Sequence, residues 1–272
     1  MISALRYEWR RIFTIRTTFI LLACALVISL LLGWITIEAL HAIGSMSEGQ
    51  ESPETAELAG MQLTEMVFAT TGGVIPLIFL GTIAAQAFGQ EYRQGTIRLT
   101  LTSIPFRGRV FSAKLIVMLL VVAVGWVITT ILTYLLMSVV LSSKSGGQSG
   151  GLELSYLGRG LLFVLGFCAI VFGVTLLTRI LALGVIIPAV FWAVAEPLLI
   201  TTLGGSVAGS GGTDGSMTVE QSQPWIAQIL PFHNGMQFVE GTQNMASGGL
   251  VFLAWVVMVL GVSWILFDKR DA

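Results

Sequence analysis

Charge is scarce in this sequence. Only 11% of its 272 residues are Asp, Glu, Lys or Arg, whereas 55% are hydrophobic. A soluble domain is usually about a quarter charged, so a water-facing globule is excluded and an all-α polytopic membrane protein is expected. Cysteine is scarcer still. Cys24 and Cys168 both sit in apolar runs, which suggests neither a disulfide framework nor a thiolate metal site. The two histidines, His41 and His233, are distant in sequence and make no metal site. No Gly-Lys pair occurs, so the phosphate-binding pattern G-x-x-x-x-G-K-[ST] is missing and no cofactor is expected in this chain. There is no nucleophile–base pair and no dinucleotide-binding loop. The chain by itself is not expected to be an enzyme, and no nucleic-acid partner is expected.

What is abundant is apolar sequence. A span of the hydrocarbon core needs roughly 20 apolar residues. Six runs qualify: Phe19–Ile37, Val67–Phe88, Phe111–Leu141, Tyr156–Leu177, Ile180–Leu203 and Gly249–Phe267. Thr178 and Arg179 alone break the fourth from the fifth. The first run exceeds the usual signal-peptide core of about 7–15 residues and is read as a retained anchor. The whole of 1–272 is expected to be one transmembrane domain.

Lys and Arg set the orientation. Twelve of the fourteen basic residues fall in the head, between spans two and three, at Arg179, or after span six. Only Lys144 and Arg159 fall on the other side. The segments 38–66 and 204–248 hold no basic residue. Both termini are therefore expected on the cytoplasmic side, in a bacterial cytoplasmic membrane.

In the head, Ile2, Leu5, Trp9, Ile12 and Phe13 share one helical face, with Arg6, Glu8, Arg10 and Arg11 off it. This is the pattern of an interfacial helix over residues 1–16, in contact with lipid. An ordinary basic flank that sets topology is the plainer reading. Between spans two and three runs QEYRQGTIRLTLTSIPFRGR, Gln90 to Arg109. Ile97, Leu99 and Leu101 alternate as in a strand, while Ile97, Leu101 and Ile104 mark a helical face, and periodicity cannot decide so short a run. A lone strand between membrane helices would leave its backbone groups unpaired, so a short helix over Thr96–Ile104 is expected. Thr96 caps its start and Pro105 ends it.

Glu91, then Gly95-Thr96, an apolar-polar run, Pro105, Arg107 and Lys114 entering the next span: this segment resembles the first cytoplasmic loop of type-2 ABC exporter permeases. The six spans, the amphipathic head and the large outer loop before span six resemble that family too. The resemblance implies a coupling helix that docks on a separate cytoplasmic ATPase, with Glu91, Arg93, Gly95, Thr96, Ile97, Arg98, Leu101 and Pro105 at the contact. ATP and magnesium would then belong to the ATPase partner. Two ATPase copies and a second permease copy, identical or not, would complete the working unit. A plain solvated loop is the reading without the resemblance.

Three intramembrane features stand out. Gly81, Ala85 and Gly89 form a small-residue stripe that lets another helix approach, within this subunit or across a dimer. Pro76 and Pro188 are expected to kink spans two and five. Glu196 is the one acid inside an apolar run; it lines a path or outer gate, or is a carboxyl hydrogen-bonded near the outer interface. Beyond span five, Trp225, Ile226, Ile229 and Leu230 share a helical face that Pro231 interrupts. With Phe232 this resembles the family's outer re-entrant segment; a helix lying on the outer leaflet is the alternative. The Glu48, Glu51, Glu54 and Glu57 run reads as a solvated acidic loop, not a cation site. The expected function is the permease of an ATP-driven exporter for an amphiphilic or hydrophobic cargo. The alternatives are an ATP-independent channel, a secondary carrier, or a membrane scaffold.

Overall fold

A computed structural model of the chain describes residues 2–46, 63–96, 107–145, 153–203, 225–241 and 244–269. Among the described residues all regular structure is helical. In chain order the helices are α1 (Ile2–Thr14), α2 (Arg16–Met46), α3 (Leu63–Thr71), α4 (Val74–Gln94), α5 (Arg107–Ser145), α6 (Leu154–Thr178) and α7 (Leu181–Val190). A π-helical turn at Phe191–Ala195 then leads into α8 (Glu196–Leu203), followed by α9 (Pro231–Glu240) and α10 (Met245–Lys269). By length and composition six helical segments can cross a membrane: α2, α4, α5, α6, α7 through α8, and α10. This is the expected fold class.

The start of span two differs from the sequence reading. The run from Val67 is not continuous with span two. Gly72 and Gly73 break it, and Val67 belongs to the separate helix α3. The geometry is specific: a Cβ on Gly73 would lie 2.6 Å from the Ala69 carbonyl oxygen. Pro76 therefore stands in the first turn of α4, where its missing N–H breaks no interior ladder. Pro188 does lie inside a helix, and the π turn that follows carries the Glu196 N–H to the Phe191 carbonyl.

Burial separates central spans from peripheral ones. In the apolar window of α6, 67% is buried inside the chain, against 22% for α2 and for α10. So α6 is the hub, with α4 packed along it. The small-residue stripe serves that packing. A Cβ on Gly81 would lie 3.3 Å from Phe167 and Val171 of α6, and one on Gly89 would lie 2.8 Å from Leu181 of α7. Aromatic rings fill the rest. Phe88, Phe111, Phe172 and Phe267 cluster toward the end of α4, and Phe163, Phe167, Trp192 and Phe252 cluster under α9.

Candidate functional site

The residues that matter gather at the two ends of the bundle. At the end where α1, α4 and α5 meet, four charged side chains form a buried cluster. Arg11 donates from Nη1 to Glu8 Oε2 at 3.0 Å and to Glu91 Oε1 at 2.5 Å. Lys114 donates from Nζ to Glu8 Oε1 at 2.8 Å and to Glu91 Oε1 at 2.6 Å. The Lys114 side chain has no exposed surface, and those of Glu8 and Glu91 are 4% and 6% exposed. Nζ also lies 5.3 Å from the centroid of the Phe88 ring. Two acids and two cations make the quartet electrically neutral, which is what lets it be buried. The local sequence explains the placement. Glu8 and Arg11 stand one turn apart on α1, Glu91 opens the last turn of α4, and Lys114 lies in the second turn of α5. Glu91 Oε2 is buried and has no hydrogen-bond partner among the described residues.

The quartet changes how α1 is understood. Glu8 and Arg11 point inward, not onto an outer polar face. Ile12 is partly buried against the core, while Tyr7, Trp9 and Arg10 are exposed. The side chains of Leu5 and Phe13 lie outside the described residues.

Just beyond the quartet, α4 ends in a Schellman arrangement. Gly95 adopts φ 67°, its N–H reaches Tyr92 O, and the Thr96 N–H reaches Glu91 O at 3.0 Å. Thr96 thus closes the end of α4. Arg93 is exposed on that last turn. Ile97, Arg98, Leu101 and Pro105, and with them most of the expected helix over Thr96–Ile104, lie outside the described residues. Beside α4, the Arg179 guanidinium lies 5.4 Å from the centroid of the Tyr92 ring. Arg179 holds a left-handed φ of 59° in the turn between α6 and α7, a conformation uncommon for a side chain other than glycine.

At the other end, α9 is gripped by opposite charges. The Glu196 carboxylate accepts the Phe232 N–H at 2.8 Å and the His233 N–H at 2.7 Å, capping the positive end of the helix dipole. Arg159 Nε donates to the Val239 carbonyl at 2.9 Å near the negative end, where Gly241 turns the chain at φ 72°. Pro231 opens this helix as its first residue. Residues 225–229 form only turns, with Trp225 and Ile229 exposed and Leu230 buried, so those side chains do not share one face. Asn234 Nδ2 donates to Ala227 and Leu230 carbonyls, both at 2.7 Å, and ties the turns to α9. The Phe232 ring lies 5.8 Å from Trp192 and 5.6 Å from Phe167. Burial pulls the His233 imidazole below its usual 6.5, and burial together with Glu65 pushes the Glu240 carboxyl up. The acidic residues 48–57 lie outside the described residues.

Sequence reasoning reached Glu91 and Glu196 but not their partners. Glu8, Arg11 and Arg159 enter the sequence reading for charge and sidedness alone, and Lys114 as part of the loop pattern. A signal for two of them was present: Glu8 is the only acid in the head, and Lys114 is the lysine inside FSAKLIV. Residues 5–272 match the family model described as ABC-2 family transporter protein. No curated protein matches the chain.

Proposed function

Because the chain belongs to the ABC-2 transporter family, we propose that it is the permease of an exporter in the bacterial cytoplasmic membrane, driven by a separate cytoplasmic ATPase. The membrane component is this chain. ATP and magnesium belong to the partner, with two ATPase copies working on two permease copies. The spans carry few charges, which favours an amphiphilic or hydrophobic cargo. Both termini face the cytoplasm.

The observation that carries this reading is the quartet. It fastens α1 to the last turn of α4 and to the second turn of α5. Those two helices flank the coupling segment, which comprises Arg93, Gly95 and Thr96 at the end of α4 and Ile97, Arg98, Leu101 and Pro105 beyond it in sequence. A push delivered there moves both helix ends and the head as one body. Glu91 serves this indirectly: its carboxylate is engaged within the chain and positions the segment. At the far end, α9 with Glu196, Pro231 and Phe232, and Trp225 beside it, forms the outer gate.

Gly95 separates coupling from folding. Nothing lies within 4 Å of a Cβ built there, yet its φ of 67° is left-handed. Gly95→Ala costs about 1–2 kcal/mol of backbone strain, too little to unfold six spans but enough to re-aim the segment. The variant is expected at normal abundance, with weaker ATPase recovery in pull-downs or ATP hydrolysis uncoupled from export. Normal export with a normal ATPase complement would refute the coupling role. Export by vesicles holding the permease alone would replace this reading with a channel or carrier.

A further inference from the structure

Hydroxyls inside the spans mostly bond within their own helix. Thr36, Thr82, Thr129 and Thr175 each donate to the carbonyl four residues back, at 2.7 to 2.9 Å. Ser29 of α2 and Thr130 and Thr133 of α5 do not. Their hydroxyls are buried and have no hydrogen-bond partner among the described residues. Ser29 and Thr133 are 0% exposed and Thr130 is 3% exposed. The three belong to one seam. A Cβ on Gly125 of α5 would meet Leu22 of α2, and one on Gly33 of α2 would lie 3.3 Å from Thr133 and 3.4 Å from Met137 of α5. The two helices therefore run parallel, Leu22 to Gly33 against Gly125 to Met137. Ser29 stands one turn before Gly33 on that face of α2, and Thr130 one turn before Thr133 on that face of α5. Trp126, one turn before Thr130, has a buried indole N–H that is also unpartnered among the described residues. Ser29 lies midway along the first span, Arg16–Ala42, far from either interface.

A hydroxyl without a partner in an apolar interior is costly, and here three share one place. We propose that Ser29, Thr130 and Thr133 hold a bound water molecule between α2 and α5, in the middle of the membrane. A buried water makes about two to four hydrogen bonds, and each hydroxyl can both donate and accept. The close approach of the helices at Gly33 restricts the occupant to a molecule of that size. Polar side chains join membrane helices by bonding across the seam between them. Here the water completes that bond, linking Ser29 of span one to the two threonines of span three.

The test is X-ray radiolytic footprinting of the purified full chain in detergent, read by mass spectrometry. Radiolysis makes hydroxyl radicals from a bound water in place, and a methionine beside it is oxidised to the sulfoxide. Met137 and Met118 are both 0% exposed, and Met137 alone lies against Gly33 and one turn from Thr133. Met137 is expected to be oxidised several-fold faster than Met118. Hydrogen peroxide added to the bulk should spare both. Thr130→Val with Thr133→Val keeps the shape and removes two hydroxyls; it should bring Met137 down to the rate of Met118 without raising the thermal midpoint. Ser29→Ala is the milder variant and should lower the Met137 rate by less. A Met137 rate no higher than that of Met118 in the unaltered chain overturns the proposal, as does an unchanged rate in both variants. Oxidation of Met137 by bulk peroxide would mean that solvent reaches it by opening, and overturns it too. So does a higher thermal midpoint in the valine variant, which would show that the hydroxyls are buried without a partner.

Discussion

Lys114 enters span three with no exposed side-chain surface, and only its two acid partners make an ammonium tolerable there. Removing one member of a buried ion cluster typically costs about 3–5 kcal/mol, because the remaining charge stays buried and uncompensated. Lys114→Met leaves Glu8 and Glu91 with Arg11 alone, and should lower membrane abundance and the thermal midpoint in detergent. Adding Glu8→Gln restores neutrality around the Arg11–Glu91 pair and should recover part of the loss. A double variant no better than Lys114→Met would show that the four residues do not act as a unit. The quartet was not legible in the sequence for a physical reason. Its members are 80 and 106 residues apart, and helical phase alone placed Glu8 and Arg11 on a water-facing side. Gly95 entered the sequence reading only through the family resemblance; its place as the left-handed cap of α4 shows in the structure, because span two continues past Phe88 to Gln94.

Among the elements, α9 is held near both of its ends by side chains from other helices. Its first N–H groups are capped by Glu196 from α8 and its last turn by Arg159 from α6. Hydrogen bonds to a charged group contribute about 1.5–3 kcal/mol. Glu196→Gln keeps the shape and removes the charge. It should raise hydrogen exchange of the α9 amides about tenfold or more while leaving α6 unchanged. Unaltered exchange in α9 would show that the carboxylate does not hold the helix. Pro231 was visible in the sequence as an interruption, but whether it ends one helix or begins another depends on Glu196, which lies 36 residues upstream of Phe232. The break before α4 was hidden for a different reason. Val67–Phe88 carries no charge and reads as one apolar run, and hydropathy does not register the Gly72–Gly73 pair.

For the molecule as a whole, the six spans were legible because hydrocarbon imposes a length and a composition on each segment independently. How they pack was not, since 67% burial in α6 and 22% in α2 arise from similarly apolar sequence. Sidedness follows from the basic residues and can be checked directly. Single cysteines at Ser47 and Gly211 should react with an impermeant reagent outside intact cells, and one at Gln94 should not. Labelling at Gln94 from outside would invert the whole arrangement, including the side assigned to α1.

The long reach of the quartet also sets a clock on biosynthesis. Glu8 is translated 106 residues before Lys114. At about 5–20 residues per second, the head waits roughly 5–20 s for the lysine that completes its seat. During that interval it has no finished docking site in the nascent chain. Docking of the head is thus a late step of assembly, and a chain whose third span fails to insert is left with its head undocked, a mark of incomplete insertion.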